Sequence, residues 1–518
     1  MKKILQAIVV PSILFACASC NDFLDTMPDN RTELNTPEKI SKVLVDAYPT
    51  ANWNMLAEFS SDNTDDNGSR NMELDRLSEE VYHWKDTKES GNDSPGAYWE
   101  ACYKAVAVSN HALEAIEKLG DTEDLKAQKG EALLCRAYGH FMLSYIFCNA
   151  WTASNQNTAL GIPYSTKPET TVNPSYERGT IGQTYEKIAK DIEEGLPLVD
   201  DNNYSVPKYH FNRKAAYAFA ARFYLYYGKY ERAIECANVV LGDNASLVLR
   251  DWEALGKLSL NEDHQPNAYI SSTEQANLLL VTSRSFWGLY NGPLTTSNRY
   301  CHNPTIAETE TCSSTGVWGD CTSTLKQQPA DYTSIPKVVF RKFPLYYMEY
   351  TDPVLGNGYY NIISSAFNTD ETLLVRAEAY ALTKQYSKAI ADMQSWLNAY
   401  TTSKVQLTEE NINQFYGNIA YYTPTEPTVK KELHPDFALE AGTQENLIQF
   451  ILHARRITTL HEGLRWGDIK RYGITIYRRI IEDKEITVTD ELKADDPRRA
   501  IQLPADVILA GLEANPRS

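Results

Sequence analysis

The chain has 518 residues, with 50 Lys and Arg against 68 Asp and Glu and a formal net charge of −18. That acidity argues against a nucleic-acid partner, because a phosphate backbone is met by clustered cations. No stretch approaches 18 uninterrupted apolar residues, so hydropathy marks no membrane-spanning helix.

The first element is a leader. Lys2 and Lys3 precede a mostly apolar run from Ile4 to Ala16, shorter than the about 20 residues that span a bilayer. A charged start, a short apolar middle and small residues at the end mark residues 1–19 as a secretory signal, which is set apart from the fold. Cys17 and Cys20 have CxxC spacing, but a redox or metal pair at that spacing requires a folded context. The better reading is a bacterial lipoprotein leader, cut before a cysteine that takes lipid on its sulfur. The frame Cys17-Ala18-Ser19-Cys20 places small residues before the cut, whereas Leu14-Phe15-Ala16-Cys17 puts a bulky ring there, so Cys20 is the expected lipidation site. Each buried methylene of such an anchor contributes about 0.8 kcal/mol, and several chains together hold stably. Loss of Lys2 and Lys3 takes the charge from −18 to −20.

Helical periodicity dominates the remainder of the chain. "WEACYKAVAVSNHALEAIEKLG" keeps Ala101, Ala105, Val108, Ala112, Ile116 and Leu119 near one face and stops at Gly120. After Asp121 and Thr122, "LKAQKGEALLCRAYGHFMLSYIF" returns as the second arm of a helical hairpin. Another pair is expected over 180–198 and 212–241, the latter broken near Gly228. A third covers 369–383 and 386–400, and a further helix runs over about 444–460. "ARFYLYYGKYERAI" from Ala221 and "AEAYALTKQYSKAI" from Ala377 align at a constant offset. Ala221/Ala377, Tyr224/Tyr380, Tyr230/Tyr386, Ala233/Ala389 and Ile234/Ile390 coincide, which is the logic of tetratricopeptide-type helix pairs. The expected fold is therefore mostly α: a tetratricopeptide-like helix-pair scaffold over about 96–242, 369–400 and 444–473, with little β structure. Long loop insertions at about 59–95, 243–368 and 401–443 are rich in Asn, Ser, Thr, Pro and Gly, and loops of that length usually carry function.

Catalytic motifs are missing. No GxSxG elbow, Walker loop or GxGxxG occurs, and "GNGYYN" at Gly356 lacks the third glycine. His461-Glu462 would need histidine at 465 for a zinc protease, and that residue is Arg465. "NTDDNGSRNMEL" from Asn63 imitates a calcium loop, but Leu74 occupies the place of its essential glutamate. No metal or cofactor is expected. A paired-carboxylate glycosidase has no local signature and stays open as an alternative. The arginines of "HARRITTLHEGLRWGDIKRYG" read as an ion-pair network with Glu462 and Asp468. Cys102, Cys135, Cys148 and Cys236 read as small buried hydrophobes. Among Cys301, Cys312 and Cys321 one disulfide is plausible in an oxidising compartment.

The chain resembles the SusD/RagB family of nutrient-binding lipoproteins. The resemblance lies in "SCNDFLD", "AYWEACYKAVAVSN", "GEALLCRAYGHFMLSYIF", the two repeat-type helix pairs, the hallmark-like "HEGLRWGDIKRYG" and the closing "DPRRAIQLPADVILAGLEANP", all in family order. It implies one SusD-like domain over 20–518, lipid-anchored at the outer face of the outer membrane beside a SusC-like TonB-dependent transporter. It also implies a binding protein for oligosaccharides, or in some branches peptides, that is not an enzyme. A surface adhesin is a further alternative. Within the resemblance Arg465, Trp466 and Asp468 are structural.

A sugar offers C–H faces bracketed by hydroxyls, so its receptor needs exposed aromatic platforms beside polar groups. The composition is tyrosine-rich, with 33 Tyr against 15 Phe. The window from Arg284 to Cys321 places Trp287, Tyr290, Tyr300 and Trp318 among Gly, Asn and Thr, with Asn291, Asn298 and Arg299 as hydrogen-bonding partners. A second window contributes Tyr82 and Trp84. The expected ligand residues are Trp84, Trp287, Tyr290, Asn291, Arg299, Tyr300 and Trp318. Alanine at Trp287 and Trp318 should then abolish binding without loss of helix.

Overall fold

Side-chain caps fix where the scaffold helices begin. Ser94 accepts from the Ala97 amide and Thr180 forms a reciprocal capping box with Gln183. Asn212 and Asn368 accept from the amides of Ala215 and Glu371, each satisfying an orphan first-turn donor. The computed structural model describes residues 33–517, apart from 74, 170–175, 261, 293–297, 333 and 484. The leader and Cys20 lie outside the described residues.

The helices that build the frame are α1 (Asn54–Ser60), α2 (Pro95–Lys118), α3 (Lys126–Phe147), α4 (Ile181–Gly195), α5 (Arg213–Tyr226), α6 (Tyr230–Leu241), α7 (Thr369–Leu382), α8 (Tyr386–Tyr400), α9 (Glu409–Asn418), α10 (Thr443–Thr458) and α11 (Arg465–Arg471). α2 and α3 pack as the expected hairpin, α4 lies along α3, α5 pairs with α6, and α7 pairs with α8. Gly130 and Gly195 bring α3 and α4 together: a Cβ on Gly130 would lie 3.1 Å from the Gly195 carbonyl oxygen.

The two repeat-like units, 156 residues apart in sequence, are neighbours in space, because α6 packs directly on α7. Ala221, Ala233, Ala377 and Ala389 are fully buried at these contacts, with Tyr224 and Tyr380 beside them. α10 in turn packs on α7 and α9. One hydrophobic cluster runs from Ile40 through the helix pairs to Leu503.

Strands are few and short, and they fall largely in the expected insertions. β1 (Asp65–Asp66) lies between β3 (Tyr300–Cys301) and β6 (Ile476–Glu482), and β7 (Glu485–Leu492) pairs with β6. β2 (Asn277–Arg284), β5 (Asn357–Asn368) and β4 (Tyr347–Asp352) form an antiparallel sheet in the order β2-β5-β4. Segment 243–368, expected as loop, therefore holds the sheets that Asn368 hands directly into α7. The window 401–443 contains α9, and 59–95 contains a helix at Arg76–Tyr82.

Buried charge ties these parts together. Glu371 of α7 accepts from Arg222 of α5 at 3.1 and 3.2 Å and from Arg455 of α10 at 3.1 Å. Arg455 continues to Asp468 of α11 at 3.2 Å. In a second network Glu310 meets Lys431 at 2.6 Å, Arg456 at 2.8 Å and Arg479 at 3.2 Å. Arg465 grips Asp62 with two hydrogen bonds of 2.8 Å. The arginines between His453 and Gly473 thus form an ion-pair network, but most partners come from afar. Glu462 instead accepts from Tyr269 at 2.5 Å and faces Lys342 at 3.4 Å. Burial opposes the Glu310 charge, yet Lys431, Arg456 and Arg479 outweigh it and bring its pKa down to about 2.

The cysteines Cys102, Cys135, Cys148 and Cys236 are buried thiols, as are Cys301, Cys312 and Cys321. The disulfide considered for the last three is not formed. Cys301 instead donates to the Pro336 carbonyl at 2.9 Å, and the Cys321 sulfur accepts from the Trp318 indole at 3.4 Å. The calcium-like loop is committed elsewhere too, since Asp65 pairs with Arg479 and Asp66 with Arg299.

Glu371→Gln leaves two buried guanidinium groups undercompensated and should cost about 3–5 kcal/mol, read as a lowered urea midpoint, whereas exposed Lys257→Gln should leave the midpoint in place. Glu310 has a depressed folded-state pKa, so its contribution is present above the ordinary carboxylate range and lost as pH falls from about 4.5 towards 2. Thermal melts across that window should fall steeply for the native chain and more shallowly for Glu310→Gln.

Candidate functional site

The structure buries most of the residues expected to greet a ligand. Trp287 is 2 % exposed, packs edge-on against Phe59 at 5.7 Å and donates its indole N–H to the His461 carbonyl at 2.9 Å. Trp318 is 1 % exposed, wedged against Trp396 and His453. Trp84 donates to the Ser60 carbonyl, and the Arg478 guanidinium lies 3.9 Å from its ring centroid. Tyr300 is buried with its ring against Tyr82 at 4.6 Å. Tyr290 is half-buried with its hydroxyl on the Asp75 carboxylate. Asn291 is buried and bonds back to Trp287, and Asn298 is buried as well. Arg299 clamps Asp66 with two bonds of 2.9 Å. The expectation that these rings are solvent-facing platforms is thus corrected. They pin the insertions to the body, because desolvating a large ring against the frame stabilises more than exposing it.

Four of them do converge. Trp287, Tyr290, Asn291 and Tyr300 line one small cavity with Glu58, His302, Lys337 and His461. Its free volume of about 10 Å³ has room for roughly one water, far below the about 300–1,000 Å³ of a small-ligand pocket. Burial pushes the Glu58 carboxyl up to about 7, as expected for a support shell closed to solvent. A roomier cleft of about 450 Å³ between Glu123 and Asn203 is lined by acids, amides, aliphatic groups and Lys126, without an aromatic ring.

Exposed aromatic surface gathers instead on the β4–β5 hairpin. Tyr346, Tyr347, Tyr350 and Tyr359 are 43, 39, 56 and 39 % exposed. Large rings left in water on one ordered element are the unusual observation, since an unused ring is normally buried. The hairpin forms because two aromatic and β-branched runs flank a turn, "YMEYTD" and "NGYYNIISS". Asp352 Oδ1 accepts from the amides of Val354 and Leu355, and Gly356 takes φ +70°.

Register then sorts the side chains. Tyr347 lies opposite Asn361, which lies opposite Arg284, and Glu349 lies opposite Tyr359. These five share one face of the sheet. On that face the Arg284 guanidinium sits 3.5 Å from the Tyr359 centroid. Asn361 donates to Glu349 at 3.0 Å, and the Tyr347 hydroxyl donates to Asn267 at 2.7 Å. On the opposite face Tyr346 meets Tyr360 edge-on at 4.6 Å, and Tyr360 packs on Phe286. The base is pinned where Asp93 accepts from the Ser285 hydroxyl at 2.5 Å and the Phe286 amide at 2.8 Å. The result is a set of flat apolar rings with polar groups already oriented around them.

Residues 22–225 match the family model SusD-like_3, described as starch-binding and associating with the outer membrane. Over those residues the chain is similar to that family. The fold agrees along nearly its whole length. A SusD superfamily protein from Bacteroides thetaiotaomicron is 19 % identical with a TM-score of 0.63, the alignment covering 93 % of this chain and 100 % of that one. A protein from Bacteroides vulgatus, described as a putative sugar binding protein, is 18 % identical with a TM-score of 0.64 over 94 % and 99 % of the two chains. A third, described as a SusD-like carbohydrate binding protein from the same species, is 15 % identical with a TM-score of 0.59, covering 92 % and 96 %. At these identities the likeness is one of fold. None of the curated proteins matches the chain.

The hairpin was the feature missed in sequence, where Gly356 was weighed only as part of a nucleotide loop. The available signal was two tyrosine-rich runs flanking an Asp-Pro and Gly-Asn-Gly turn. Trp287→Ala or Trp318→Ala should cost about 3–5 kcal/mol through an uncollapsed cavity, visible as a lowered melting temperature. Tyr350→Ala, which removes a largely solvated ring, should leave that temperature nearly unchanged.

Proposed function

We propose that this SusD-like chain is a cell-surface lipoprotein that binds oligosaccharides and passes them to a TonB-dependent transporter without catalysing their breakdown. It would act as one unit over residues 20–518, held to the outer membrane by lipid on Cys20. No helix among the described residues is long and apolar enough to cross a membrane, which is compatible with a lipid anchor. The family description and the sugar-binding relatives support the ligand class.

The observation that carries the reading is the hairpin face bearing Tyr347 and Tyr359 with Asn361, Glu349 and Arg284 around them. Its rings offer stacking surface, its polar groups match hydroxyls, and its open shape suits a chain-like ligand better than a closed pocket would. In this reading Trp84, Trp287, Tyr290, Asn291, Arg299, Tyr300 and Trp318 act as the support that holds the insertions in place.

Isothermal titration with oligosaccharides selected on a glycan array tests it. Tyr347→Ala/Tyr359→Ala should weaken affinity about tenfold or more with an unchanged melting temperature, and unaltered affinity would reject the hairpin as the site. Mass spectrometry of native material should find Cys20 as the lipid-bearing first residue, and affinity capture from detergent-solubilised membranes should bring down a β-barrel transporter.

A further inference from the structure

Arg284 stands apart from the arginines of the two buried networks. Its side chain is exposed and sits over the Tyr359 ring, and among the described residues that side chain makes no hydrogen bond or ion pair. The guanidinium is nevertheless held in place. Stacking on an ordered ring at 3.5 Å restrains it, and its backbone is fixed because the Arg284 amide donates to the Thr50 carbonyl at 2.8 Å. A planar fork of N–H donors, restrained and unsatisfied by protein, is matched by a carboxylate or sulfate oxygen pair. Thr282, two residues back on the same face and exposed, adds a hydroxyl beside it.

The acidic side chain nearby is spoken for in a different way. Glu349 is on β4, at the other edge of the three-stranded sheet, and Asn361 between them binds its Oε2. The face is therefore polarised, with cation at the β2 edge and carboxylate at the β4 edge. A wholly neutral glycan would leave the cation unanswered, whereas an acidic sugar laid across the rings would place its anion on Arg284 and its hydroxyls towards Glu349. In a chain of net charge −18 the general field repels anions, so recognition of one must come from such a local contact.

We infer that the hairpin face prefers oligosaccharides carrying an oxyanion, with Arg284 reading the acid group. This rests on the glycan-binding reading above and narrows it to a class. The carboxylate of a uronic acid and a sulfate ester present the same chemistry, and the experiment separates them.

Affinities of the full mature chain are measured for three oligosaccharides of equal length: neutral, uronic-acid-containing and sulfated. At low salt one or both acidic ligands should bind about tenfold more tightly than the neutral one, and that advantage should shrink with added NaCl. In Arg284→Gln the acid-to-neutral ratio should fall towards one, while Arg284→Lys should retain part of it. Whichever acidic ligand shows the larger advantage identifies the source of the anion. Equal binding of acidic and neutral ligands, unaltered by Arg284→Gln, overturns the preference and leaves glycan binding standing. Failure of all three ligands to bind overturns both.

Discussion

The structure depends on charge that has been taken out of water and paired with opposite charge inside. Glu371 receives arginines from two different helices, α5 and α10, and α10 passes the linkage on to Asp468 in α11. Hydrophobic packing alone is tolerant of small slips between helices, whereas a buried carboxylate abandoned by one partner is heavily destabilising. These helices therefore have one acceptable arrangement. The second network does the same for the irregular segments. Asp62, Glu310 and Lys431 come from the three separate insertions and meet Arg456 of α10 and Arg465 of α11 at one place.

That arrangement explains why long insertions can be ordered without regular structure of their own. Each is held by one or more buried ions, and two of them also by large rings driven into the body, such as Trp84, Trp287 and Trp318. The residues most conspicuous in these loops are conspicuous because they are anchors. Only after the anchors are set can the β4–β5 hairpin stand out into solvent, continuous with β2 on one side and with α7 through Asn368 at its end. A surface built on a pinned sheet has little conformational freedom left to lose, which suits the preformed stacking proposed for it.

The internal resemblance between α5–α6 and α7–α8 takes on meaning in space. The two units sit side by side, and the intervening segment, largely 243–368, is an excursion that leaves the helical stack and returns to it. The excursion carries the sheet and the exposed tyrosines, while the stack continues almost as though uninterrupted. The helical frame and the exposed hairpin are thus separated along the chain, although they are not separable in stability, since Glu310 within the excursion and Asp370 just beyond its end are both buried against the frame.

Helix content and helix pairing were legible in the sequence because they are local. Caps such as Ser94 and Asn212, alanines at helical spacing and the stop at Gly120 act through neighbours a few residues away. The offset between Ala221 and Ala377, and the arginine-rich segment at 453–473, were legible for the same reason. Which aromatics face water was decided only by tertiary structure. Trp287 and Tyr359 both sit in Gly- and Asn-rich company, and what buries one and exposes the other is whether groups remote in sequence, Phe59 and His461 for Trp287, arrive to cover it. The partners of Arg456 and Arg465 were equally hidden, since Asp62 and Glu310 come within reach of them only once the insertions have folded back. Sequence spacing governs contacts along one element, whereas burial is a property of everything that packs against it.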